Sequence, residues 1–151
     1  MHPHFHKVPV SHQSSYSIRL DNQPSFPTIW HYHPELELHF VIKGEGVRLI
    51  GDSVSNFSAG ELILMGENLP HSWQCREEYF QKNSGLHVEA IVLHFLPQCF
   101  GRDFLSLPET FLVSKLLDKA KKGMIFHGKT KEKVVRLMHT ALHATDLDRI
   151  I

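Results

Sequence analysis

The chain has 151 residues, enough for one domain that buries about 68–70% of its unfolded surface. Sixteen basic residues balance 16 acidic ones, and 42% of residues are hydrophobic, so the composition is globular and lacks the basic excess of a domain that grips phosphates. No apolar run reaches membrane-span length, the start Met-His-Pro-His-Phe-His-Lys is too polar for a signal peptide, and Cys75 and Cys99 form no Cys-x-x-Cys pair, which suits buried thiols in a reducing, cytoplasmic compartment.

Residues 1–14 show no period and read as a leader that pairs at a sheet edge, with His2, His4 and His6 as surface residues. Tyr16–Asp21 alternates and predicts a strand; 22–27, with two prolines, is a loop. A strand at 29–33 ends in a turn at Pro34-Glu35, because proline removes a ladder donor and holds His33 extended. The strand from Leu36 to Lys43 alternates Leu36, Leu38, Phe40 and Ile42 with Glu37, His39 and Val41, so it has one greasy and one mixed face. Gly44-Glu45-Gly46 predicts a hairpin turn. Strands at 47–50 and 53–57 flank Gly51-Asp52 as another hairpin, and strands at 61–65, 71–75 and 86–95 follow. Many short strands punctuated by turn residues indicate an antiparallel barrel or jelly roll.

Beyond residue 96 the period becomes helical. Ser106-Leu-Pro-Glu109 has the form of a capping box opening a helix over 107–122, which Gly123 ends. Met124-Ile-Phe126 is an apolar link placed on the sheet, and Thr130 caps a helix over 130–145 with Val134, Val135, Met138, Ala141 and Leu142 in one stripe. Lys119, Lys121 and Lys122 are a solvated helix end. The chain stops at Ile150-Ile151 without a terminator, which reads as a cut in a longer protein.

The chemistry centres on His31 and His33. Two apart on a strand, they share a face with Cα atoms about 6.6 Å apart, close enough for two imidazoles to share a metal ion. A straight strand would carry Glu37 about 13 Å beyond His33, so the turn at 34–35 has to return it beside them. With 13 histidines in the chain a His-x-His pair is cheap. The pair gains weight from the segment Phe57-Ser-Ala-Gly-Glu-Leu-Ile-Leu-Met-Gly-Glu-Asn-Leu-Pro-His-Ser-Trp73, in which His71 opens a strand. Trp73 shares parity with His71, and His39 with Glu37; each reads as a pocket residue or as ordinary core. The face of His94 is not assignable from its apolar strand.

His-x-His-x3-Glu-x6-Gly, followed by Gly-Glu-Leu-Ile-Leu-x5-Pro-His, resembles the two motifs of the cupin superfamily. With the helical tail, the wording resembles more narrowly the N-terminal sensor domain of AraC-type transcriptional regulators, over roughly residues 10–145. Ser25 stands where the first motif usually begins with glycine. The resemblance implies a mainly β fold: a single domain 1–151, with a cupin-type antiparallel β-barrel (double-stranded jelly roll) over 10–96 and two C-terminal α-helices in a tail, 97–151, for dimerisation or coupling. It implies a divalent metal (zinc, nickel, iron or manganese) on His31, His33, Glu37 and His71; Trp73 and His39, by their parity, are the candidates for a ligand pocket beside it. The alternative is that these polar groups hold only hydrogen bonds and water.

The expected function is ligand sensing and dimerisation for an AraC-type regulator. Such a chain binds a small-molecule effector, forms a homodimer, catalyses nothing and touches no membrane. It binds no DNA alone, since a neutral chain lacks the phosphate contacts that supply non-specific affinity, and reaches DNA through a C-terminal domain beyond residue 151. The alternatives are a metal-dependent cupin enzyme (a dioxygenase or sugar isomerase), which the ligand set permits, and a storage or scaffold cupin. Against the enzyme stands the lack of a further acid, base or nucleophile tied to the motifs.

Overall fold

Among the described residues two five-stranded sheets face each other, one ordered β1-β3-β8-β5-β6 and the other β10-β7-β4-β9-β2. The strands are β1 His4–Phe5, β2 Tyr16–Gln23, β3 His31–Tyr32, β4 Leu36–Lys43, β5 Gly46–Ile50, β6 Ser53–Phe57, β7 Leu62–Met65, β8 His71–Cys75, β9 Val88–Phe95 and β10 Met124–Ile125; the helices are α1 Phe111–Ala120 and α2 Gly128–His143. This computed structural model describes residues 2–9 and 14–151. The parts of the expected leader and of the 10–96 barrel that fall on residues 1 and 10–13 lie outside the described residues. The expected jelly roll forms as two separate hydrogen-bonded sheets. Among the described residues every strand pair is antiparallel except β1 with β3, which is parallel.

Strand β4 explains the layering. Its mixed face, Glu37, His39 and Val41, points between the sheets, where Val41 joins Phe26, Ile63, Met65, Trp73 and Val92 in the inner core. Its greasier face, Leu38, Phe40 and Ile42, points outward and is covered by helix α2 through Val134, Val135, Met138 and Leu142. Helix α1 covers the neighbouring area through Leu116, Leu117 and Ala120, against Leu36 and Leu64. Strand β7 is covered on both faces, and all four of its residues are apolar and buried. At the end of α1 the Gly66 N–H donates to the Ala120 carbonyl at 2.8 Å, and a Cβ on Gly66 would stand 2.7 Å from the Lys121 nitrogen.

Three local expectations need correction. Gly44-Glu45-Gly46 makes no hairpin: β4 belongs to one sheet and β5 to the other, so the segment carries the chain across. Glycine is still required there, because Gly44 has φ +129° and a Cβ on Gly46 would lie 2.1 Å from the Gln74 carbonyl oxygen. The Ser106–Glu109 capping box does not cap: Phe104–Ser106 and Pro108–Thr110 are 3₁₀ turns, and α1 begins at Phe111. The Thr110 hydroxyl instead donates back to the Phe104 and Leu107 carbonyls, each at 2.8 Å. Thr130 lies inside α2, which starts at Gly128. Gly123 does end α1, with φ +76°, and Met124–Ile125 does pair with β7.

Gly46→Ala is expected to destabilise the chain by about 1–3 kcal/mol, because the methyl meets backbone, which cannot yield as a side chain would. Urea unfolding checks this; a change within about 0.5 kcal/mol of wild type would contradict the contact.

Candidate metal centre

The site is built by strand register. His31 pairs with His4 on one side and with His71 on the other, a row of three histidines across one sheet. After Tyr32 the chain turns at Pro34-Glu35 and crosses to the facing sheet, so Glu37 approaches the histidines from across the interior rather than from a neighbouring strand of their own sheet. His31, His33 and His71 each place one ring nitrogen within 4.8 Å of the others; His33, Glu37 and His94 form a second such group.

Carbonyl oxygens only accept, so the backbone sets the tautomers. His31 Nδ1–H donates to the Ile29 carbonyl at 2.7 Å, His33 Nδ1–H to that of Glu35 at 3.0 Å, and His71 Nδ1–H to that of Leu69 at 2.7 Å. In the neutral rings every Nε2 is then a lone pair. Yet His33 Nε2 lies 3.1 Å and His71 Nε2 3.3 Å from the same Glu37 Oε2. Lone pairs facing a carboxylate repel, so this geometry calls for a cation among them, either a proton or a metal. Fixing the far nitrogen of an imidazole on a carbonyl is how metal-binding histidines are oriented, and the residues present fit a divalent ion.

The charges of the side chains by themselves favour a proton in that place. Burial alone would push the Glu37 carboxyl up, but the His71 charge and hydrogen bonds from His33, His39 and His71 outweigh it and hold it well below its ordinary 4.5. Burial alone would lower His71; the Glu37 carboxylate reverses this and raises it above 6.5. His31 is lowered to about 4, by burial first, and is therefore neutral at pH 7 with a lone pair to offer.

His94, whose face the sequence left unassigned, joins this centre. It pairs with Glu37 in the β4–β9 register, which is the signal that only strand pairing supplies. Arg19 Nη1 lies 3.2 Å from its Nδ1, and a guanidinium only donates, so His94 Nε2 carries the proton and donates to Glu37 Oε2 at 2.8 Å. His94 thus steadies the carboxylate rather than offering a lone pair. His39 Nδ1–H donates to Glu37 Oε1 at 2.9 Å, and its Nε2 has no hydrogen-bond partner among the described residues.

His31, Glu37, His39 and Trp73 line a cavity of about 730 Å³, with Phe26 on its apolar side and Arg19 at its rim. The Trp73 indole stacks on His39 with ring centres 4.2 Å apart and planes 16° off parallel, and its Nε1–H lacks a partner among the described residues. His39 Nε2 and Trp73 Nε1 are thus a buried acceptor and a buried donor without partners among the described residues, on two side chains that line the cavity. Ser25 lies in a bend outside the left-handed region, so its backbone does not require the glycine of the motif. No helix among the described residues is long and apolar enough to cross a membrane.

Residues 19–79, which hold His31, His33, Glu37, His39, His71 and Trp73, match the family model for the cupin domain. No curated protein sequence matches the chain. Among solved structures, ToxT from Vibrio cholerae O395 bound to (E)-4-(8-methylnaphthalen-1-yl)but-3-enoic acid is similar with TM-score 0.55 and 10% identity, covering 91% of this chain and 52% of ToxT. A further ToxT structure from Vibrio cholerae has TM-score 0.55, 12% identity and the same coverage. A cupin protein from Bacteroides fragilis has TM-score 0.45 and 11% identity, over 61% of this chain and 84% of its own. The chain spans about half the length of ToxT. At these identities the likeness is one of fold: a cupin jelly roll followed by helices.

Proposed function

We propose that the chain is the ligand-sensing and dimerising domain of an AraC-type transcriptional regulator, with a divalent metal beside its effector cavity. The observation that carries this reading is that the likeness to ToxT, an AraC-family regulator, covers 91% of the chain and so runs through the helical tail as well as the sheets. The ToxT structure holds a small organic acid, and here the cavity sets Phe26, Ile29 and Val92 beside Arg19, His31 and His94, a lining suited to a small molecule of mixed polarity.

In this reading His31, His33, His71 and Glu37 hold the metal, and His94 and His39 orient Glu37 by donating to its two oxygens. The metal, when bound, supplies a fixed positive charge for an anionic or oxygen-bearing part of the effector. Zinc, nickel, iron and manganese all suit three imidazoles and a carboxylate. A ligand that binds one arrangement of sheets and helices better than another shifts the balance by that difference in affinity. DNA contact belongs, in this reading, to a separate C-terminal domain of the regulator.

Dimerisation is proposed through the tail. Phe111 and Leu112 on α1 and Leu137 on α2 are 59%, 78% and 59% exposed, more apolar surface than the chain's own sheets cover. A second copy would bury it about a two-fold axis.

One observation favours a second reading, a metal-dependent cupin enzyme. His39 lines the cavity beside the candidate metal ligands, and its Nε2 is a buried base without a partner among the described residues, a group of the kind that proton abstraction needs.

Protein purified without chelator or nickel media is expected to carry stoichiometric metal, to scatter light as a dimer at tens of micromolar, and to retain no DNA at physiological salt. A metal-free monomer, or specific DNA retention, overturns the sensor reading. Metal-dependent turnover of a sugar or aromatic substrate, abolished by Glu37→Gln, replaces it with the enzyme.

A further inference from the structure

We infer that His6, on the N-terminal arm, is a further ligand of the metal centre, so that the metal fastens this arm to the jelly roll. The inference rests on the metal reading above and adds a residue from a segment that the cupin motifs do not include.

Register makes the case first. Strand β1 runs parallel to β3 with His4 opposite His31 and Phe5 opposite Tyr32, and the His6 N–H donates to the Tyr32 carbonyl at 2.9 Å. Paired residues share a face of the sheet, so His6 continues the ladder beside His33 on the face that carries the metal cluster. The imidazoles confirm the placement. The His6 ring centre lies 5.3 Å from that of His31 and 6.4 Å from that of His33. The three clustered rings stand 4.4, 5.0 and 5.9 Å from one another. His6 stands a little farther out than the three rings do from one another and outside the group whose nitrogens lie within 4.8 Å, so it reaches the ion by a turn of its exposed side chain; it lines the same cavity.

The arrangement also has a consequence for the arm. Strand β1 has only two residues and lies at the sheet edge, with His4 and Phe5 both exposed. So short an edge pairing adds little stability by itself. Its nearest deep anchor is Val8, 3% exposed. A bond from His6 to an ion already held by His31, His33 and His71 would pin the arm to β3, and Phe5 with it at the cavity wall. Metal loading and arm docking would then be one event.

The test is calorimetric titration of zinc into chelator-stripped wild type, His6→Ala, His33→Ala and His2→Ala, with timed trypsin digestion after Lys7. His6 is exposed, so its loss spares the fold. The expected result is that His6→Ala weakens zinc binding about 10-fold or more while His2→Ala leaves it unchanged, and that zinc slows cleavage after Lys7 in wild type but not in His6→Ala. If wild type binds zinc, His33→Ala weakens it, and His6→Ala matches wild type in affinity and in protection at Lys7, this inference falls and the metal reading stands. If wild type binds no zinc, the metal reading falls and takes this inference with it.

Discussion

Glutamine in place of Glu37 is expected to weaken zinc binding by about 100-fold or more while leaving the chain folded. Glu37 Oε2 is the point that His33, His71 and His94 approach at 3.1, 3.3 and 2.8 Å, and Oε1 takes the His39 proton at 2.9 Å. The substitution removes the charge that balances a cation. It also turns one of two accepting oxygens into a donor, which must face either the His39 N–H or the histidine cluster. The metal-free variant should be less stable by about 1–3 kcal/mol, the usual cost of a buried donor left unpaired. In wild type, zinc at about 100 times its dissociation constant should add about 2.7 kcal/mol, a rise of about 5–11 °C in melting temperature for a chain of this size. In Glu37→Gln that rise should vanish. Calorimetry and circular-dichroism melts read both effects; a folded variant that binds zinc as wild type does would remove Glu37 from the site.

The second large effect lies away from the histidines. Arg48 on β5 donates to Glu61 from Nε at 2.7 Å and from Nη2 at 3.2 Å, and its Nη1 bonds the Ser55 hydroxyl. Its side chain is only 7% exposed and that of Glu61 13%. Arg48→Met keeps the stem but strands the carboxylate, and breaking such a buried pair from one side costs about 3–5 kcal/mol. We expect a loss of about 3 kcal/mol, or about 6–12 °C in melting temperature. Arg48→Met with Glu61→Leu should recover most of it, since the cost comes from the unpaired charge rather than from the missing pair. A single variant within about 0.5 kcal/mol of wild type would show that the pair is solvated.

Much of the fold was legible in the sequence because it is written locally. Strand β4 runs from Leu36 to Lys43, the range its alternation predicts, since Pro34 bars pairing on one side and Gly44 on the other ends the pattern. Gly51-Asp52 forms its hairpin and Gly123 ends α1, because positive-φ positions advertise themselves. His31, His33, Glu37 and His71 were singled out from spacing and motif, and the structure brings them together.

Other features depend on partners far away in the chain. Gly44-Glu45-Gly46 has the composition of a hairpin, yet β4 pairs with β7 and β9 while β5 pairs with β6 and β8, so the turn becomes a crossing between sheets. The capping box at Ser106 does not form because 104–110 coils into 3₁₀ turns, with the Thr110 hydroxyl placed against the Phe104 and Leu107 carbonyls. That the polar face of β4 points inward follows from two helices covering its greasy one, and those helices lie about 70 to 100 residues downstream. His94 meets Glu37 through a pairing across 57 residues, and His6 is brought beside His31 by a two-residue strand with no periodicity of its own. Local alternation determined which residues form strands. Only tertiary pairing decided which strands meet and on which face, because backbone hydrogen bonds are alike at every residue and register is selected by what the whole chain can bury.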